Sequence, residues 1–218
     1  MILTTIYLVR HCEAMGNINR IFQGHTDEEI SDNGRLQLEK LAERFRDIHL
    51  DALYSSPLKR AYRTAEAVNR YHQLPIHTDE RLIEINGGHW EEKPWEALPE
   101  LYPDEWAAWS CRPWSFAPQN GEPMRAVYAR MAEVLSAIAE DHPGETVGVA
   151  SHGCAIRNAL CWASGRPIEQ LLEIPWCDNT AVSVLEFEDG RPFIRLANDN
   201  GHLDDALSTL NKQSWWRE

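Results

Sequence analysis

The 218-residue sequence predicts an α/β fold, a mixed but mostly parallel central sheet with helices on both faces and a helical and loop insertion over one end of the sheet. Three observations lead there. Apolar, β-branched runs at residues 2–9 and 146–150 read as buried strands. Helical periodicity fills the intervals between short strands. A late pair of alternating runs has hairpin spacing, which adds antiparallel strands to the parallel ones.

Taken in order, residues 2–9 contain Ile2, Thr4, Thr5, Ile6, Tyr7 and Val9, a mix suited to a buried strand that ends abruptly at Arg10-His11. Leu38, Leu41, Ala42 and Phe45 then fall at i, i+3, i+4 and i+7 after a cap at Ser31, the pattern of an amphipathic helix packed on a sheet. Residues 51–55 form a short strand. Ser56 supplies a helix cap and Pro57 the first helical position, with Ala61, Thr64, Ala65 and Val68 as the buried face, which puts Arg60 in or near the first turn. Residues 124–138 repeat the pattern with Val127, Met131, Val134, Leu135 and Ile138. Pro143-Gly144 breaks the chain before the strand at 146–150, which stops at Ser151-His152-Gly153 and leads into a helix ending at Gly165. Residues 181–187 and 193–197, separated by Glu188-Asp189-Gly190, make the hairpin.

One stretch breaks the alternation. Residues 87–121 carry Trp90, Trp95, Trp106, Trp109 and Trp114 among prolines and acids and are read as the lid-like insertion. The expectation is one domain over residues 1–218, with that insertion and a C-terminal tail from about residue 203.

Composition narrows the function. A net charge of −13 without a long basic stretch excludes nucleic acid and anionic membrane surfaces as partners. The first apolar run is too short for a secretory signal and nothing reaches the roughly 18 apolar residues of a membrane span, so a cytoplasmic location is expected. Five cysteines without a C-x-x-C pair suggest reduced thiols and neither a disulfide framework nor a zinc site. An anionic substrate must therefore meet a local cluster of cations.

That cluster can be located. Ligands of open α/β sheets sit beyond the carboxyl ends of the strands, where two neighbouring strands ending in histidine bring His11 and His152 to one crevice. Arg10 closes the first strand, and Arg60 opens a helix whose N-terminal amides and dipole favour an anion. Guanidinium groups grip phosphate oxygens bidentately, so the group reads as a phosphate pocket. A lone histidine at a strand end or a lone arginine on a helix is ordinarily structural; the joint arrangement is what carries the reading.

The ordered blocks reinforce it. Leu8-Val9-Arg10-His11-Cys12-Glu13-Ala14, Asp32-x-Gly34, Ser55-Ser56-Pro57-Leu58-x-Arg60-Ala61-x-x-Thr64-Ala65, Leu82-x-Glu84-Ile85-x-x-Gly88-x-Trp90-Glu91, Asn120-Gly121-Glu122 and Val149-x-Ser151-His152-Gly153 follow one another along nearly the whole chain. Together they resemble the histidine phosphatase superfamily, in its phosphoglycerate-mutase-like branch. The resemblance implies that His11 attacks phosphorus, that Arg10, Arg60 and a protonated His152 hold the phosphoryl oxygens, and that Glu84 gives a proton to the leaving oxygen. Asn17, Gln23 and Gly24 would line the mouth, and Gly153 would add a contact beside His152. It further implies a small-molecule phosphate ester as substrate, a phosphohistidine intermediate, and neither metal nor cofactor.

Cys12 departs from the glycine usual after the nucleophile, and its place between two arginines predicts a thiolate sensitive to oxidation. A phosphoglycerate mutase would need further cations around a second anionic group. Residues 85–120 offer only Lys93 and Arg112 against Glu91, Glu92, Glu96, Glu100, Asp104 and Glu105, so a phosphatase is preferred. The rival of another class is a non-catalytic phospho-ligand binder. Trp215 and Trp216 in the polar tail suggest a docking contact, such as a homodimer.

Overall fold

The computed structural model describes residues 3–212. Its strands are β1 (Leu3–Arg10), β2 (Ala52–Ser55), β3 (Ile76–Thr78), β4 (Thr146–Ser151), β5 (Val182–Glu188) and β6 (Arg191–Asp199). They form one sheet in the order β3-β2-β4-β1-β5-β6, with β3, β2, β4 and β1 parallel and β5 and β6 antiparallel to their neighbours. The mixed, mostly parallel sheet expected from the sequence is therefore present.

Helices α1 (Met15–Ile18), α2 (Asp32–Phe45), α3 (Lys59–Val68), α4 (Leu98–Leu101), α5 (Pro103–Cys111), α6 (Met124–Asp141), α7 (Gly153–Ala163) and α8 (Thr209–Lys212) surround it. Alternation along each strand divides the core. Val9, Leu53, Ala150 and Val182 pack with Leu38, Leu41 and Phe45 of α2 and Ala65 and Val68 of α3 on one face. Ile6, Leu8, Val147, Val149 and Leu185 pack with α6 and α7 on the other, each fully buried Leu- or Ile-sized side chain contributing about 1.5–3 kcal/mol.

Ser31 caps α2 as predicted, its Oγ accepting from Gly34 N at 2.9 Å. Gly34 is dictated by a close approach: a Cβ there would lie 2.1 Å from the carbonyl oxygen of Glu13. The start of α3 differs from expectation, with Leu58 at the cap position and Lys59 as the first helical residue. Ser56 is 3.4 Å from Leu58 N, a poor cap, because its hydroxyl is engaged elsewhere. β3 went unread in the sequence. It has three residues, of which His77 and Thr78 are exposed, and exists through its parallel pairing of Ile76 with Leu53.

Residues 87–121 hold α4, α5 and short 3₁₀ turns at Gly88–Trp90, Trp95–Ala97 and Pro113–Ser115. Trp90 is fully buried, with Phe22 and Phe116 against its ring and its Nε1 donating to Glu105 at 2.5 Å. The insertion is thus an aromatic extension of the main core. Trp215 and Trp216 lie outside the described residues. No helix among the described residues is long and apolar enough to cross a membrane.

Candidate active site

The register of the central strands builds the site. Arg10 pairs with Ser151, so the next residue on each strand, His11 and His152, emerges side by side at the carboxyl edge, with ring centroids 5.1 Å apart. α2 and α3 cross one face and α6 and α7 the other, which opens a crevice at that edge.

His11 is held from several sides. Its amide donates to Ser151 O at 2.9 Å, and its carbonyl accepts from Asn179 Nδ2 at 2.9 Å and Thr180 N at 3.3 Å. Its Nδ1 lies 2.7 Å from the Cys12 carbonyl, and a carbonyl only accepts, so the proton sits on Nδ1 and Nε2 carries the lone pair. Burial, then Arg60 and Arg10, push the imidazole well below its ordinary pKa. The ring is neutral and its orientation is fixed.

Arg10 donates Nη1 to the Cys177 carbonyl. Arg60 is buried in the first turn of α3, its Nη1 and Nη2 each 2.7 Å from a loop carbonyl, those of Thr26 and Gly24, with Nε left unpartnered. Burial lowers its pKa to about 10, so it remains a cation at neutral pH. Gly24 sits at φ +48°, and a Cβ there would meet Glu91 Oε1 at 2.3 Å; it presents its carbonyl to Arg60 from a left-handed backbone that favours glycine.

His152 departs from the expectation of a protonated ring. Burial, then Arg60 and the neighbouring His11, push its pKa well down, which favours the neutral ring. Its Nε2 lies 2.7 Å from Ser56 Oγ, while Nδ1 is buried without a partner. Ser56, expected as a helix cap, instead sets its hydroxyl against the His152 ring. A dianionic phosphoryl group would oppose the arginines and draw a proton back to this ring.

Glu84 lies where the loop after β3 meets α7. Its Oε2 accepts from Cys154 N at 3.0 Å, and its Oε1 from Ala155 N at 3.0 Å and Ile85 N at 2.9 Å. The N-terminus of α7 thus holds a protein carboxylate, and that of α3 does likewise, Lys59 N donating to Asp27 at 2.7 Å. The expected role of the α3 amides as a phosphate cradle is corrected by that contact. Arg130 braces the segment before Glu84, donating to the carbonyls of Arg81 and Ile83 at 2.8 and 2.7 Å while Glu122 grips it from the other side.

Asn17, Gln23, Gly24 and Gly153 all line the cavity with Arg10, His11, Arg60 and Glu84. Asn17 Oδ1 accepts from Ala14 N at 3.0 Å, and Gln23 keeps a buried Oε1 without a partner. A Cβ on Gly153 would lie 3.2 Å from Arg10 Nε. Nine further described residues line it that were not expected as site residues, Arg20, Trp95, Trp109 and Trp176 among them. The insertion's tryptophans stood out in the sequence, but nothing there separates a pocket indole from a core one.

Two chemical expectations fail. Cys12 is fully buried against Arg60 O and Thr64, and burial pushes its thiol up to about 12, so it is a packing residue and not a thiolate. None of the insertion's acids is among the described residues lining this cavity, although Glu96 lines the adjoining cleft beside Arg20 and Trp95. Glu91 accepts from His25 N and Gly87 N at 2.9 and 3.0 Å, Glu105 binds Trp90 and His89, and Glu84 is the one acid among the described lining residues. Within the cavity itself that segment therefore places no acid to repel a second anion. What remains against a mutase is the scarcity of further cations, Arg20 being the one added to Arg10 and Arg60.

A family model described as the histidine phosphatase superfamily (branch 1) matches residues 6–200. The chain is 33% identical over 207 residues to phosphoserine phosphatase 1 of Hydrogenobacter thermophilus, covering 95% of this chain and 98% of the relative. It is 32% identical to phosphoglycerate mutase-like protein 4 of Arabidopsis thaliana, covering 92% and 87% of the two chains. Among solved structures it resembles YhfR of Bacillus stearothermophilus, with a TM-score of 0.88, 32% identity, and 92% and 100% of the two chains covered.

Proposed function

The chain belongs to the histidine phosphatase superfamily, and from that membership and the geometry of the site we propose that it is a phosphomonoester hydrolase that works through a phosphohistidine on His11. The observation that carries the reading is the neutral His11, its Nδ1 proton fixed on the Cys12 carbonyl and its Nε2 free to attack between two buried arginines.

In the first step His11 Nε2 forms the P–N bond while the ester P–O bond breaks and the alkoxide takes the proton of Glu84. Arg10, Arg60 and His152 neutralise the equatorial oxygens, a job of positioning and charge that asks for no metal. In the second step Glu84 takes a proton from water, the hydroxide attacks phosphorus, the P–N bond breaks, and inorganic phosphate leaves. Asn17, Gln23, Gly24 and Gly153 shape the entrance for a small-molecule ester. The five free cysteines suit a cytosolic setting.

Rapid quench with a radiolabelled phosphomonoester tests this. Expected is phosphate bound to protein, stable to alkali and labile to acid, that forms within one turnover in excess EDTA and is absent from His11→Ala. Activity that EDTA abolishes and a divalent ion restores, or label that persists in His11→Ala, overturns it. A non-catalytic binder would retain vanadate affinity and show no label.

A further inference from the structure

Ser56 follows β2 directly, is fully buried, and is clamped through its backbone. Its amide donates to Ala150 O at 2.9 Å and its carbonyl accepts from Ser55 Oγ at 2.8 Å. The clamp brings its hydroxyl to 2.7 Å from His152 Nε2. A contact of that length between a hydroxyl and an imidazole nitrogen holds one proton, and either atom can supply it. The surroundings decide which does.

The other polar neighbour of Ser56 Oγ among the described residues is Leu58 N at 3.4 Å, which is itself a donor. A proton on Nε2 would leave the hydroxyl with donors on both sides and no acceptor for its own hydrogen. A buried polar hydrogen without an acceptor is costly, so Ser56 donates and Nε2 accepts. Arg60, His11, Arg130 and Arg10 all oppose a second proton on the ring. The single proton of the neutral ring is then on Nδ1, which is buried and has no partner. His11 carries its proton on the same atom for another reason, the Cys12 carbonyl. One ring thus offers a lone pair from Nε2, and the other, 5.1 Å away, offers an N–H from Nδ1.

We propose that Ser56 is a positioning residue whose hydroxyl donates to His152 Nε2 and so holds the imidazole proton on Nδ1, where it meets a phosphoryl oxygen. With Nε2 engaged, Nδ1 is the ring nitrogen left to make that contact. The assignment takes from the phosphomonoesterase reading only that a phosphoryl group sits beside the two histidines. The hydroxyl also suits the charged ring, since it can turn and accept from Nε2–H while Nδ1–H stays in place. Ser56→Ala removes the bias, and the other tautomer would set a bare Nδ1 lone pair against the anion.

Long-range proton–nitrogen NMR spectra of the histidine-labelled protein distinguish the two tautomers, with the His152 signals assigned through His152→Asn. Sulfate, a dianion throughout the working pH range and not hydrolysed, probes the oxyanion contact. Expected is Nδ1–H at His152 in the parent and a shift toward Nε2–H in Ser56→Ala. Sulfate affinity in that variant should fall by roughly 10- to 100-fold, the worth of one hydrogen bond to a charged group. Ser56→Thr, which keeps the hydroxyl, should restore both. A loss of packing alone would leave the tautomer where it is. Nε2–H in the parent overturns the proposal, as does a Ser56→Ala protein that keeps Nδ1–H or the parent's sulfate affinity, or a Ser56→Thr protein that matches Ser56→Ala in both. Because neither readout needs turnover, a protein that meets both expectations and hydrolyses no ester would lose the hydrolase reading alone.

Discussion

Glu84 is asked to give up a proton while three backbone amides point at its carboxylate. The arrangement fixes where the oxygens are, and it makes the usual amide replacement informative in two ways. Glu84→Gln removes the acid, and it also sets an NH₂ against an amide N–H, because both carboxylate oxygens accept. Lost protonation hurts only a leaving group that needs a proton; a displaced side chain hurts every substrate. Loss of protonation predicts a phosphorylation rate lower by roughly 10²–10⁴-fold for an alkyl phosphate and much less for p-nitrophenyl phosphate, whose phenolate leaves unaided. Single-turnover quench with the two esters measures both rates. Equal damage to both would assign Glu84 a positioning role and send the search for the acid elsewhere.

At the scale of elements, the end of the described chain does more than the tail expected from the sequence. Glu13 and Asp178 are both buried, and segment 208–210 satisfies them together. Thr209 Oγ1 donates to Glu13 at 2.9 Å, and Asp178 accepts from Ser208 Oγ at 2.5 Å and from the amides of Thr209 and Leu210 at 3.1 and 3.2 Å. Glu13 follows His11 by two positions, and Asp178 lies between Cys177, which holds Arg10, and Asn179, which holds His11. α8 thus pins the two segments that orient His11 and Arg10. Thr209→Val keeps the shape but leaves a buried carboxylate short of one donor, at about 1–3 kcal/mol. In a chain of this size that lowers Tm by about 2–10 °C, and Thr209→Ser should restore most of it. A Tm for Thr209→Val within a degree of the parent would show the clip to be idle. None of this was legible in the sequence, since Thr209 earns its role through partners nearly two hundred residues away. The strands ending on His11 and His152, the α2 cap at Ser31 and the position of Arg60 were legible, because each rests on a local pattern. β3 and the true start of α3 were not. The first exists through pairing with β2, and the second shifted because His152 claims Ser56.

At the scale of the whole molecule, the site sets how the fold responds to acid. His11 and His152 are buried and held neutral well below the ordinary imidazole pKa, and His202 is lowered to about 4, first by burial and then by Arg44. The unfolded chain has no such bias and takes up these protons near pH 6.5. Below that value the unfolded state binds protons the folded state refuses, so stability falls as pH falls, by up to about 1.4 kcal/mol per pH unit for each histidine involved. Carboxylates with lowered pKa, such as Asp79 with its Arg81 partner, add to the loss only nearer pH 4, so between pH 6.5 and 5 the histidines dominate. Thermal melts at pH 7.5, 6.5, 5.5 and 5.0 should therefore hold level and then drop, and His11→Asn and His152→Asn should each flatten the drop. Saturating vanadate should flatten it too, because an anion beside the two rings favours their charged forms and brings their folded pKa values back toward those of the unfolded chain. A Tm in the parent that stays level down to pH 5 would show that the pair is not held neutral, and the assignment of His11 as an unprotonated nucleophile would lose its electrostatic basis.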